Sequence, residues 1–104
     1  MSTLHTVNKS PFEKTSLESC LRVVRAGATV LLYEDAVYAA LTGTSIEHRI
    51  RQALAHVQLR ICVLTPDLKA RGVDERDIID GVERVDYMGF VALAAASGRV
   101  NAWL

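Results

Sequence analysis

Apolar and polar positions alternate along this chain with two periods, about two in its short runs and about three and a half in its longer ones. Leu4 to Val7 is a short apolar and β-branched run that predicts a strand, and Asn8-Lys9-Ser10-Pro11 leads from it into helix-start residues. Two starts compete there. Ser10-Pro11-Phe12-Glu13 and Thr15-Ser16-Leu17-Glu18 both match the capping box, in which a hydroxyl and a carboxylate satisfy free amide donors reciprocally. The later start suits a regular helix better, because Leu17, Leu21 and Val24 then fall at i, i+4 and i+7, ahead of Gly27. Residues 28–33 (Ala-Thr-Val-Leu-Leu-Tyr) are almost continuously apolar, the pattern of a central strand buried on both faces of a parallel sheet.

Asp35 is placed to cap a short helix over Ala36 to Leu41, closed by Gly43. From Ser45, the residues Ile46, Ile50, Ala53, Leu54 and Val57 keep helical spacing opposite a polar face, which predicts a one-sided surface helix. Leu59 to Leu64 reads as a third strand stopped by Pro66. Asp67 to Arg76 carries six charges and a glycine, which suits an exposed loop or a short helix. Val82 to Val85 predicts a fourth strand. Behind Asp86 as cap, Tyr87 to Ala96 reads as a helix that is apolar almost all round, and such a helix needs cover on more than one side. In so small a chain a partner subunit is a natural source of that cover. Gly98 ends the helix, and Val100 to Leu104 reads as an edge strand.

Strands and helices alternating at this pitch predict an α/β fold: one three-layer domain over residues 1–104, with a mostly parallel sheet of about five strands. Half of the residues are hydrophobic and 23% are charged, so the chain is expected to fold rather than stay disordered. Twelve basic residues balance twelve acidic ones, which argues against direct, charge-driven nucleic-acid binding. The longest apolar run, Phe90 to Ala96, falls far short of the roughly twenty residues of a membrane span. The first residues lack the pattern of a secretory signal, and the two cysteines form no Cys-x-x-Cys pair, so a reducing cytoplasm is the expected location.

Motifs for nucleotide binding are missing: there is no Gly-x-Gly-x-x-Gly and no Walker loop. His48 and His56 share a polar helix face without a carboxylate or cysteine at ligand spacing, so they read as solvated, and no metal site or cofactor is predicted. His5, inside the first strand, reads as a core or sheet-edge residue. Cys62, between Ile61 and Val63, reads as a small core hydrophobe. Cys20 is the candidate with chemistry, because a thiolate is both a nucleophile and a sulfur carrier, with Lys9, Lys14 and Arg22 as candidate cationic neighbours. Its spacing beside Leu17 and Leu21 equally fits a core residue. Asp67, Lys69, Arg71, Asp74, Glu75, Arg76 and Asp77 form a mixed-sign cluster beyond the third strand, and Tyr33-Glu34-Asp35 follows the second. The carboxyl ends of strands are where open α/β sheets meet ligands and partners.

Five stretches form a pattern over nearly the whole chain: Leu4 to Phe12, Leu31 to Ala40, Pro66 to Gly72, Val85 to Val91 and the closing Ala102-Trp103-Leu104. Together they resemble the DsrH/TusB family of small sulfur-relay subunits. Ala36 stands where the motif commonly has glycine. The resemblance implies a DsrE-like fold and a heterohexamer, a dimer of heterotrimers, with DsrE/TusD-like and DsrF/TusC-like subunits. It implies relay of sulfane sulfur as cysteine persulfide from a TusA-like donor to a DsrC/TusE-like acceptor, with the principal carrier cysteine on the DsrE/TusD-like subunit. Two uses are implied: dissimilatory sulfur oxidation, or 2-thiolation of the wobble uridine of certain transfer RNAs. Cys20 matches a cysteine on the first helix of DsrH-type proteins that TusB-type members can lack. Together with the Asn8-Lys9-Ser10-Pro11-Phe12 run, this tilts the expectation towards sulfur oxidation, with Cys20 as a candidate accessory persulfide carrier. A purely structural subunit, and a free-standing small-ligand module, are the competing readings.

Overall fold

In a computed structural model, which describes residues 2–55 and 59–104, five strands form one sheet in the order β4-β3-β2-β1-β5. They are β1 (Thr3–Val7), β2 (Thr29–Leu32), β3 (Arg60–Leu64), β4 (Glu83–Val85) and β5 (Arg99–Trp103), and every neighbouring pair is parallel. The continuous apolar run becomes β2, the middle strand, with all four of its residues buried. Side chains alternate across the sheet, so each strand feeds two separate layers. Val7, Val30, Leu32, Ile61 and Val63 point into a large core, whereas Leu4, Leu31 and Cys62 point the other way.

The large core is closed by α1 (Ser16–Val23), α2 (Glu47–Leu54), α3 (Thr65–Ala70) and a 3₁₀ segment (Glu34–Ala40). Helix α1 takes the later of the two starts and buries Leu17, Cys20 and Leu21. Ile50 and Ala53 carry the buried face of α2. His56 and Val57 lie outside the described residues. The opposite face of the sheet is covered by α4 (Tyr87–Ala96), which meets Leu4, Leu31 and Cys62 through Phe90, Leu93 and Ala94. The result is the expected three-layer α/β domain, with a sheet that is parallel throughout.

One local expectation is corrected and another is resolved. The residues after Asp35 coil as a 3₁₀ segment that starts at Glu34, and Asp35 makes no cap. Ala36, Val37, Ala39 and Ala40 are fully buried against the core, and the Asp35 carboxylate is taken instead by Arg71. The charged stretch after β3 also divides. Its first part belongs to α3, which begins at Thr65 because proline is tolerated in a first helical turn, and Leu68 anchors it in the core. Its later part contains only the 3₁₀ turn Glu75–Asp77, capped by Asp74.

Candidate functional site

Cys20 lies on the inner face of α1, fully buried among the residues of the large core. Burial disfavours the charged thiolate and pushes its pKa up to about 12, so at neutral pH the thiol is protonated. Lys9, Lys14 and Arg22 do not offset this: Lys9 and Lys14 are exposed, and Arg22 pairs with Glu18 at 3.5 Å. Cys62 is equally buried, under α4, and its thiol is pushed up to about 11 by burial and by the Glu83 carboxylate. Both cysteines are free thiols. In this conformation each is a packing residue, and a sulfur donor reaches Cys20 only if α1 moves.

The carboxyl ends of β1, β2 and β3 carry a polar crest that joins Asn8, Glu34, Asp35, Asp67 and Arg71. Glu34 follows the central strand at φ +48°, a left-handed conformation that few residues other than glycine adopt. Its amide donates to Asp67 Oδ2 at 2.6 Å, which holds the strained turn against the first turn of α3. Asn8 Nδ2 reaches Glu34 Oε1 at 3.4 Å, while Asn8 Oδ1 is buried without a partner. Arg71 donates from Nε and Nη2 to Asp35 Oδ1, at 3.0 and 2.9 Å, and from Nη1 to the Asp67 carbonyl at 3.3 Å.

The mixed-sign cluster is therefore brought together only in part. Asp67 and Arg71 join the crest, whereas Asp74 pairs with Arg76, and Glu75 with Arg84, away from it. The crest acts as a polar clamp across three strand ends; it places no nucleophile beside a base. Among the described residues, no group of three or more histidine, cysteine or carboxylate side chains is placed to hold a metal ion. His48 is exposed on α2.

Helix α4 presents the other distinctive surface. None of its residues is fully buried, and Tyr87, Met88 and Val91 are 58%, 81% and 66% exposed. Val100, on the same sheet face because it pairs with Leu4, is also half exposed. A ten-residue helix is about 15 Å long and 10–12 Å across, so alone it leaves part of a five-stranded face open. Valine, methionine and tyrosine are thus left in solvent together on this face. The sequence showed this helix as apolar all round and in need of further cover; which of its residues are left bare is visible only in the fold.

Comparison with known proteins bears on the family and the fold. The family profile described as DsrH like protein matches residues 9–100. Protein TusB of Pectobacterium parmentieri is 37% identical over 100 residues, which are 96% of this chain and 99% of that protein. Protein TusB of Escherichia coli O81 (strain ED1a) is 33% identical over the same shares of the two chains. Among solved structures, the ychN protein from E. coli superposes with a TM-score of 0.83 at 21% identity, covering 98% of this chain and 99% of that one. A protein of unknown function from Methanobacterium thermoautotrophicum, MTH1491, superposes at 0.73 with 17% identity and 96% of each chain covered. At these identities the two structures speak for the shared fold alone.

Proposed function

Because the chain belongs to the DsrH/TusB family, we propose that it works as the TusB-like subunit of a cytoplasmic sulfur-relay complex that serves 2-thiolation of the wobble uridine in transfer RNA. The observation that carries the relay-subunit reading is the bare apolar face of α4 and β5, which suits assembly with the larger TusC-like and TusD-like subunits. The thiolation branch is preferred over sulfur oxidation because the curated relatives carry the TusB name along their whole length. The tilt towards sulfur oxidation rests on Cys20 together with the Asn8-Lys9-Ser10-Pro11-Phe12 run, and these residues are what favours the second reading.

The chemistry of the relay is thiol–persulfide exchange. A thiolate attacks the outer sulfur of a donor persulfide, the donor S–S bond breaks, and the donor sulfur leaves as a thiolate with no net oxidation. The buried, protonated thiol of Cys20 favours an architectural role for this chain, with the working cysteine on a partner. Cys20 remains a candidate accessory carrier only for a state in which α1 is displaced.

Expression in a bacterial strain that lacks its own TusB tests the reading. Restoration of 2-thiouridine in transfer RNA supports it, and absence of thiolation despite a co-purifying complex points to the sulfur-oxidation branch. Failure to co-purify with the two larger subunits overturns both. Intact-mass analysis of the complex after exposure to a persulfidated donor then locates the sulfur on Cys20 or on a partner.

A further inference from the structure

The amino ends of β1 and β5 hold a cavity of about 400 Å³ on the side of the sheet that α1 covers. The register places Thr3 beside Arg99 and His5 beside Asn101, so two adjacent strands contribute a polar floor. Further along the same face the side chains are apolar, Val7 and Trp103 among them. The wall is the segment that leads from α1 to β2, with Arg25 at its rim and Ala28 at its base. No carboxylate lines the cavity. The chain has nine arginines, and among the described residues seven are ion-paired; the two that are not are Arg25 and Arg99, both in this cavity. In a chain with as many acidic as basic residues, that segregation is specific to one place.

The floor adds neutral donors to the two guanidinium groups. His5 Nδ1 accepts from Trp103 Nε1 at 3.1 Å, so a neutral His5 ring carries its proton on Nε2 and donates from there. Burial keeps the ring neutral by lowering its pKa. Thr3 offers a hydroxyl and Asn101 an amide. Guanidinium forks with neutral donors around them are the chemistry that recognises phosphate.

We propose that this cavity is a binding site for a tetrahedral oxyanion of the phosphate class, held between Arg25 and Arg99 over the floor of Thr3, His5 and Asn101. Its volume falls in the range of small-molecule pockets, about 300–1,000 Å³, so it accommodates either free phosphate or the phosphate end of a small phosphomonoester. The site lies at the opposite end of the strands from the polar crest and uses neither cysteine. It is independent of the sulfur-relay reading.

Equilibrium dialysis of the full chain, in the assembly in which it purifies, against radiolabelled inorganic phosphate at ionic strength fixed with chloride tests the site. Saturable binding is expected, weakened about tenfold or more when either Arg25→Gln or Arg99→Gln is introduced, and unchanged by Arg76→Gln, whose guanidinium lies in a local pair with Asp74. Both target side chains are exposed, so far-UV circular dichroism of the variants is expected to match the parent. Competition by a nucleoside monophosphate well below the concentration needed with inorganic phosphate assigns the site to an organic phosphate; equal competition assigns it to the free ion. Absence of saturable binding to the parent chain, or equal binding by the parent and the Arg25→Gln/Arg99→Gln variant, overturns the proposal. Sulfur transfer is not part of the readout, so this result and that of the complementation test fail separately.

Discussion

At the scale of single residues, burial decides what the two cysteines and His5 can do. Ellman's reagent is expected to leave both thiols untouched in the folded chain and to titrate both after denaturation; rapid native reaction at Cys20 would show that α1 opens. Cys20→Ser places a hydroxyl in an apolar core and is expected to cost about 1–3 kcal/mol, read as a lower denaturation midpoint. Cys20→Ala separates that packing cost from any loss of sulfur transfer. His5 has a folded pKa below its ordinary value of 6.5, so the unfolded chain binds the extra proton first. Its contribution to stability is complete above about pH 6.5 and is lost as the pH falls from there through the folded value. Protonation also occupies Nδ1 and breaks the bond from Trp103, the chain's single tryptophan, so its fluorescence reports the same transition. His5→Gln is expected to flatten that dependence. The sequence named Cys20 and His5 from their residue types and neighbours, but depth within a core is a property of the assembled fold.

At the scale of elements, the fold used most of the local signals that sequence carries; the capping box at Thr15 is an exception, since its side chain makes no cap hydrogen bond although α1 starts there. The strand runs and the Leu17 and Leu21 face of α1 came through because hydrophobic period and burial agree there. Asp86 was expected as a cap and is one: its Oδ1 accepts from the Gly89 amide at 2.7 Å. Asp86→Ala is expected to destabilise α4 by about 1 kcal/mol, measurable by thermal or urea unfolding. Asp35 had an equally good local signature and does not cap: the segment starts one residue earlier, at Glu34, and a guanidinium 36 positions along the chain takes its carboxylate. No window of sequence displays that competitor. Gly89 serves α4 in another way: a Cβ there would lie 3.1 Å from Val85 Cβ and 3.3 Å from the capping oxygen. Alanine at this position would gain up to about 1 kcal/mol of helix propensity while crowding Val85, which is held by its pairing with Leu64.

At the scale of the whole molecule, the domain is finished on one face and open on the other. Several elements seal the core beneath α1, whereas α4 crosses the second face alone with valine, methionine and tyrosine in solvent. Met88→Glu and Val91→Glu are expected to leave the circular dichroism of the chain unchanged, since both side chains are exposed, and to abolish co-purification with the larger subunits. Retained co-purification would move the interface elsewhere. The α/β class, the strand count and the apolar last helix were all legible in the sequence. Which face that helix left uncovered, and the gathering of the two unpaired arginines at one end of the sheet, required the strand order.

That order has a consequence for synthesis. The first strand pairs with the last, through Thr3 to Val7 against Arg99 to Trp103, and the Gly98 amide closes the junction on the Ser2 carbonyl at 2.9 Å. A nascent chain on the ribosome can dock β1 on β2 early, but the other side of β1 stays unpaired until residue 103 has cleared the exit tunnel. During that interval a buried strand is an open edge, the kind of backbone on which strands of neighbouring chains can add. A premature stop after α4 therefore leaves a polypeptide with its helices encoded and its sheet unclosed, a substrate for chaperones and proteases.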